Sequence, residues 1–524
     1  MLTRRLASLA VPMLFTLSTA CGPSSDRECV AGVTDIETDP FNCGSCGNAC
    51  ADGYSCVGGG CIPGECQPGA TEECYTGPED TLGVGPCVAG TRTCDVTATW
   101  SRCSDVYPVQ EVCGDGVDNN CNGDVDDDVD ADGDGFTSCT GNDCCDSTEC
   151  SKPELVNGGA FDAAGNDFDD DCNGFVDDTI LLCDQGIMPD TSDAMEYARA
   201  IDICQTAMEN DQKWGVISAT LSLADGTGTA DPLSRRVVPR YGSGAMPQGG
   251  VNLAVLSTGY AATKMDAGSP FDWGSKSHTT PNSSPFPADF VAANGGTLPN
   301  APGCAAPSGA TANDPTMLTL RIRVPTNAKS FKLSTNFYSI EFPEWTCSQY
   351  NDFFVVLLDS TYAGDPPNPP DKNLAFFQPS GTTDKVPVGV NLGHGNTGLF
   401  TQCVNGATGC SGSPGTISTC TGTNLLAGTG MDEVAGSCGT PNATMGGATG
   451  WLVTTGNVTP GEVITLRIAV WDTSDHILDS LALVDGFQWS TEVAQPGTVL
   501  FNGKRPDLPV VQREWLKNVL VSAN

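Results

Sequence analysis

Leu318-Thr319-Leu320-Arg321-Ile322-Arg323-Val324, resumed at Phe331-Lys332-Leu333-Ser334-Thr335, is the stretch that decides the fold. Apolar side chains fall on every second residue, the period of a strand with one buried face rather than the 3.6-residue period of a helix. Ile464, Leu466, Ile468 and Val470 repeat the pattern. From about Trp214 onward such segments are separated by long loops rich in Gly, Pro, Ser and Thr, which predicts a β-sandwich or jelly-roll domain. Upstream, Asp190 or Thr191 is placed to cap one helix running to about Met208, with Ala194, Tyr197, Ala198, Ile201 and Cys204 on one face. Cys183 and Cys204 could tie that helix to the preceding segment. Downstream, a Pro-containing linker after Trp489 leads to a short helix at Val510 to Leu520.

Composition agrees with a mainly β chain. Among 524 residues there are 62 Gly and 35 Pro, and only 7% are aromatic. Lys plus Arg is 24 against 64 Asp plus Glu, a net charge of −40. Such a chain repels nucleic acid, so no nucleic-acid partner is expected. No apolar run is long enough for an ordinary membrane span. The 27 cysteines are too many for a reducing compartment and predict export.

The N-terminus reads as an export signal: Arg4 and Arg5, an apolar stretch from Leu6 to Leu17, then Ser18-Thr19-Ala20 before Cys21. It resembles a bacterial lipoprotein signal, although Leu17 sits one residue early and Ser18 holds the usual leucine position. Lipidation of Cys21 leaves 26 cysteines, an even number for disulfides. A conventional secretory signal with an unpaired Cys21 is the alternative. From Cys29 to Cys61 six cysteines punctuate a stretch with almost nothing apolar to bury, so covalent staples must shape it. This stretch resembles short cysteine-rich segments related to stigma-specific proteins. The rival zinc-knuckle reading of Cys43-x-x-Cys46 lacks a second CxxC or a histidine nearby. Cys66 to Cys103 reads as another stapled module of two or three strands.

Between Glu111 and Asp178 there are 21 acids and one base, Lys152. This charge must be neutralised by cations or left solvated. Within it, Asp118-Asn119-Asn120-Cys121-Asn122-Gly123-Asp124-Val125-Asp126-Asp127 matches Asp169-Asp170-Asp171-Cys172-Asn173-Gly174-Phe175-Val176-Asp177-Asp178, 51 residues later. Asp130-Ala131-Asp132-Gly133-Asp134-Gly135-Phe136 repeats the frame. Each follows D-x-[DN]-x-[DN]-G, the first half of a calcium loop. Oxygens at positions 1, 3 and 5 converge on a hard cation and Gly at 6 permits the turn. The candidate ligands are thus Asp118, Asn120 and Asn122; Asp130, Asp132 and Asp134; and Asp169, Asp171 and Asn173. Asp124 and Phe175 would add the carbonyl of position 7, Val125 and Val176 would pack inward at position 8, and Asp126 and Asp177 stand at position 9. No loop has Glu at position 12, so further ligands must come from elsewhere, with Asp143 and Asp146 as candidates. Two or three Ca²⁺ ions are expected. Soft-metal binding by Cys144 and Cys145 is the lesser reading beside their oxidation.

The acidic block resembles the MopE-like metal-binding-motif repeats of bacterial surface proteins over about 65 residues. Further on, WGVISATLSLADG, VNLAVLSTGYA, LTLRIRVPTNAKSFKLSTNFYSIEFPEW, QYNDFFVVLL and GWLVTTGNVTPGEVITLRIAVWDTSDHILDSLALVDGFQW together resemble the choice-of-anchor L domain of bacterial exported proteins. That resemblance implies an extracellular β-rich domain without an established activity. In it, the lipid on Cys21 would supply the anchor.

Chemistry in the large domain is sparse. His278, His394 and His476 are too scattered for a zinc protease or a triad, and no G-x-S-x-G or P-loop is present. Glu341, Glu344 and Asp352 flank a strand break, and Asp472, Asp475 and Asp479 follow the strand ending at Val470. Turn formation or structural cation binding is the leading reading for these acids, and acid–base catalysis on a polysaccharide the rival one. Trp345, Trp451, Trp471 and Trp489 could line a sugar-binding face, but core packing suits most of them better.

The organisation expected is a lipoprotein signal (1–20), two cysteine-rich modules (21–65 and 66–110), acidic metal-binding repeats (111–179), a choice-of-anchor L-like β domain (180–490) with one preceding helix, and a C-terminal linker with a short helix (491–524). The expected function is that of a non-enzymatic cell-surface or outer-membrane lipoprotein, anchored by its lipid, with a β-sandwich that adheres to a surface glycan or protein. The alternatives are a secreted form and an exported, carboxylate-dependent polysaccharide hydrolase.

Overall fold

A computed structural model describes residues 36–51, 54–95, 98–139, 141–146, 152–177, 182–271, 282–408, 415–431 and 446–501. The export signal, Cys21 and the 510–520 helix lie outside the described residues. The chain is mainly β and divides into two compact units, with the boundary between Asp127 and Asp128, inside the acidic stretch.

In the first unit, Tyr54–Val57 and Gly60–Pro63 form a hairpin closed by Gly58 and Gly59, both at positive φ, as a two-residue turn of this hand requires. Disulfides Cys43–Cys56 and Cys50–Cys61 staple it, so Cys43 is not a zinc ligand. The second module is a two-stranded hairpin, Thr71–Cys74 with Gly90–Thr93, held by Cys66–Cys94 and Cys74–Cys103.

After a single 3-10 turn at Pro153–Leu155, the first α-helix described in the second unit is α1 (Ala194–Ala200). Ala194, Tyr197, Ala198 and Ile201 are buried as the periodicity requires. The helix is shorter than expected and is capped by neither Asp190 nor Thr191. Asp193 is the cap, accepting the Met195 N–H at 2.9 Å. Asp202 takes a left-handed φ of 73°, which stops the helix, and Thr206 already bridges to Val216 as extended chain. The Cys183–Cys204 disulfide then ties this segment to the chain before α1. Asp193→Ala should destabilise the unit by about 1 kcal/mol, read as a lower denaturant midpoint at unchanged slope.

Among the described residues ten strands of four residues or more build the sandwich: β1 (Gly215–Ser222), β2 (Arg235–Val238), β3 (Leu253–Ser257), β4 (Ala312–Arg323), β5 (Ser330–Ser339), β6 (Phe353–Asp359), β7 (Leu452–Asn457), β8 (Val463–Asp472), β9 (Ser480–Ser490) and β10 (Gly497–Leu500). They form two antiparallel sheets, ordered β10-β7-β5-β9-β3-β2 and β6-β8-β4-β1, with the two-residue strands Gly447–Ala448 and Ser283–Ser284 pairing off these paths with β5 and β4. β10 extends the first sheet past residue 490, where the sequence reading ended the domain.

Register places Leu318 opposite Ile468, Leu320 opposite Leu466 and Ile322 opposite Ile464. These side chains meet Phe331, Leu333, Phe337, Ala482 and Val484 of the other sheet in one core, which makes a sandwich. Several strands depart from simple alternation because their outer faces are also covered. Phe353, Val355, Leu357 and Trp471 pack under Phe286 and the short helix α2 (Ala288–Ala293), so β6 is buried on both sides. No described helix is long and apolar enough to cross a membrane.

Candidate metal centre

The three acidic loops share one hydrogen-bonding scheme. In the first, Asp118 accepts the N–H groups of Asn122 (3.1 Å) and Gly123 (3.0 Å), Asn120 accepts that of Asn122, and Asn122 that of Asp124. In the second, Asp169 accepts from Asn173 (3.0 Å) and Gly174 (2.8 Å), Asp171 from Asn173, and Asn173 from Phe175. In the third, Asp130 accepts from Asp134 (3.1 Å) and Gly135 (3.0 Å), Asp132 from Asp134, and Asp134 from Phe136. Side chains at positions 1, 3 and 5 thus curl the backbone around themselves, as short acidic and amide side chains do in turns.

The repeat is longer than the matched ten residues. Glu111 accepts the Asn119 N–H at 3.4 Å, and Asp162, 51 residues later, accepts that of Asp170 at 3.3 Å. Asp126 accepts the Gly116 N–H, and Asp177 those of Gly165 and Asn166. The position-9 carboxylates therefore close an upstream turn. The 51-residue offset, followed back through Gly114/Gly165 to Glu111/Asp162, would have revealed this. Val125 and Val176 do not pack inward: they are 57% and 56% exposed, so among the described residues nothing covers position 8. The loop cysteines are oxidised, as Cys87–Cys121 and Cys144–Cys172, and Cys145 is also disulfide-bonded, so soft-metal binding by Cys144 and Cys145 is ruled out.

The third loop gathers the most charge. Oxygens of Asp130, Asp132 and Asp134 lie within 4.8 Å of one another, and so do oxygens of Asp132, Asp143 and Asp146. Asp132 belongs to both groups, which joins five carboxylates into one centre. Asp143 and Asp146 are buried. Asp146 accepts the N–H groups of Ala131 (2.6 Å) and Ser138 (3.2 Å), while Asp132 Oδ2 is buried without a hydrogen bond. Burial, and then the charges of Asp134, Asp146 and Asp132, pushes Asp143 up to about 7. Asp132 and Asp134 are raised as well, burial being the first cause in each. All the donors are hard oxygens, which fits a divalent cation such as Ca²⁺.

The sandwich anchors this centre. Asn157 donates to Asp134 Oδ2 at 2.6 Å and accepts from Thr326 Oγ1 at 2.7 Å. Thr326 and Asn327 form the turn between β4 and β5, and Asn327 bonds Phe161 in both directions. A side chain at Gly159 would strike the ring of Phe136 at 2.4 Å, so glycine there lets loop and hairpin close up. Asn157 carried no motif and was not legible from sequence.

Two other ligand-like groupings are not metal sites. Cys43, Cys50 and Cys61 are in disulfides, and Cys304 and Cys347, near His394, are bonded to each other. Five of the six acids that the sequence offers as candidates in the large domain are buried: Glu341, Glu344, Asp352, Asp472 and Asp479 are each no more than 3% exposed, and Asp475 is half-buried. The tryptophans share no face. Trp471 stacks on Phe353 in one layer, Trp489 packs edge-on to Phe331 and Phe487 in another, and Trp345 meets Tyr350 in a loop. Comparison with known proteins returned no matching family model, no matching curated protein and no matching solved structure.

Proposed function

We propose that the chain is an exported, non-enzymatic surface lipoprotein whose acidic loops are ordered by Ca²⁺ and whose β-sandwich adheres to a surface glycan or protein. The observation that carries the calcium part is the third loop, where five carboxylates meet around Asp132 and one buried oxygen has no other partner. Asp130, Asp132, Asp134, Asp143 and Asp146 would hold the ion there. Asp118, Asn120 and Asn122 would hold a second and Asp169, Asp171 and Asn173 a third. Bound calcium supplies positive charge that cancels the repulsion among these groups. The chain's own contribution is to orient the oxygens through backbone N–H groups and to brace the centre on the β4–β5 turn through Asn157 and Thr326.

Burial of the sandwich acids favours adhesion over hydrolysis. A polysaccharide cannot reach Glu341, Asp352, Asp472 or Asp479 at 2% exposure or less. The odd cysteine count and the signal at Arg4 to Cys21 support the lipid anchor. The mass of membrane-extracted protein should exceed the Cys21-to-Asn524 polypeptide by a lipid-sized increment. The purified chain should bind surface glycan or protein extracts in calcium, lose that binding on chelation, and release no reducing ends. Calcium-independent release of reducing ends, abolished by Glu341→Gln, would replace this reading with the hydrolase.

A further inference from the structure

At one end of the sandwich, four strand ends each bring in a buried acid. Glu341 follows β5, Asp352 precedes β6, Asp472 is the last residue of β8, and Asp479 precedes β9. Ser480 Oγ donates to Asp352 Oδ2 at 2.6 Å, and the Thr473 N–H reaches Oδ1 at 3.4 Å. Thr258, just past β3, closes the turn by donating its N–H to the Ser480 carbonyl and accepting the Ser480 N–H. Gly259 leaves room for Asp479, whose Oδ2 would lie 1.8 Å from a Cβ there.

Glu341, Asp352 and Asp472 are 2%, 1% and 0% exposed, and among the described residues no Lys or Arg pairs with them. Both oxygens of Asp472 and Oε2 of Glu341 are buried without a hydrogen bond. Thr258 and Asp352 are near enough to influence the charge of Asp472, but neither closes a well-aligned bond to it. Burying carboxylates this way is strongly unfavourable unless something neutralises them. Burial, and then the charge of Asp475, pushes Asp352 up to about 8. Burial with the charges of Asp352 and Asp472 raises Glu341 well above its ordinary value, and burial with those of Asp352 and Asp479 does the same to Asp472. A proton shared between Asp352 and Asp472 would remove one charge and still leave Glu341 Oε2 unsatisfied. A cation serves all three groups.

We infer that Asp352, Asp472 and Glu341, with Asp479 beside them, form a divalent-cation site inside the sandwich, separate from the acidic loops and selective for Ca²⁺. Among the described residues no sulfur or imidazole joins this group: His476, the histidine closest in sequence, is engaged with Asp314 at 2.6 Å. These oxygens stand farther apart than those of Asp132, Asp143 and Asp146, so binding draws them inward by side-chain rotation. Ca²⁺, which accepts six to eight oxygens in irregular geometry, suits that better than octahedral Mg²⁺. The ion ties β5, β6, β8 and β9 together at one end.

The test uses the full chain carrying Asp118→Ala, Asp169→Ala and Asp132→Asn, so that loop binding is removed. Calcium at a hundredfold excess over its Kd should raise the Tm of the sandwich by about 4 °C. Tb³⁺ should give luminescence sensitised by Trp471, the neighbour of Asp472. Asp472→Asn should abolish both responses. If Asp472→Asn does not fold, Asp352→Asn should abolish both, and Trp471→Phe should remove the luminescence while keeping the Tm shift. A Tm indifferent to calcium but rising on acidification would overturn the site in favour of the shared proton. Full calcium and Tb³⁺ responses retained in Asp472→Asn and Asp352→Asn would also overturn it.

Discussion

Reduction of the disulfides should abolish the structure of residues 36–127 while leaving the sandwich folded. Among the described residues of the first unit, every buried apolar side chain is a cysteine except Ala98. Phe41, Leu82, Val88 and Val106 are exposed, so nothing else can act as a core. The staples Cys43–Cys56, Cys50–Cys61, Cys66–Cys94, Cys74–Cys103 and Cys87–Cys121 close loops with sequence separations of 13, 11, 28, 29 and 34. Each contributes roughly 2–4 kcal/mol by restricting the unfolded chain. Their joint loss exceeds the stability a small domain possesses. The sandwich has a large apolar core from both sheets and survives loss of Cys183–Cys204, Cys304–Cys347 and Cys403–Cys420 with a lower Tm. Limited proteolysis after reduction should cut throughout 36–127 and spare residues from about 190 to 500. Protection of the N-terminal segment after full reduction would contradict this account.

Calcium affinity at the third loop should fall about a hundredfold between pH 8 and pH 5. Asp143 is held at about 7, burial being the main cause and the neighbouring carboxylates adding to it. Below that value the proton occupies the group the ion needs, and each further pH unit costs roughly tenfold in affinity. The sign for the ion-free fold is opposite to that of a salt-bridged Asp. The folded value lies above the unfolded one near 3.9, so acidification from 7 toward 4 stabilises the ion-free protein, and raising the pH through 7 removes that stability. Asp132 and Asp134, raised as well, steepen the loss of binding. Asp143→Asn should flatten the profile and weaken binding at pH 8. A calcium affinity unchanged from pH 8 to pH 5 would remove Asp143 from the site.

The sandwich was legible because β4, β5 and β8 keep a strict period of two, which a half-buried strand imposes on its sequence. The helix is shorter than its pattern implies because apolar periodicity continues through Ile201 and Cys204, while its end is set by the backbone of Asp202, which no side-chain pattern reports. The loop ligands were legible from spacing, since positions 1, 3, 5 and 6 are local. What is not local was out of reach. Asn157 bracing Asp134 on the β4–β5 turn, and strand ends joining Glu341, Asp352 and Asp472, depend on tertiary packing across 23 to more than 100 residues. Val125 and Val176 show the converse: a motif position predicted burial, and burial requires a partner that the described residues do not place there.

Whether hard cations order the acidic loops is decided by calorimetric titration of the disulfide-intact full chain with calcium at pH 8. Saturable binding is expected, with dissociation constants of roughly 10⁻⁴–10⁻³ M, and magnesium should bind more weakly. Asp118→Ala with Asp169→Ala should remove about two ions, and Asp132→Asn one more. Absence of saturable heat at several millimolar calcium, or the same stoichiometry in the triple variant as in the wild type, would reduce the loops to a charged spacer and contradict the account.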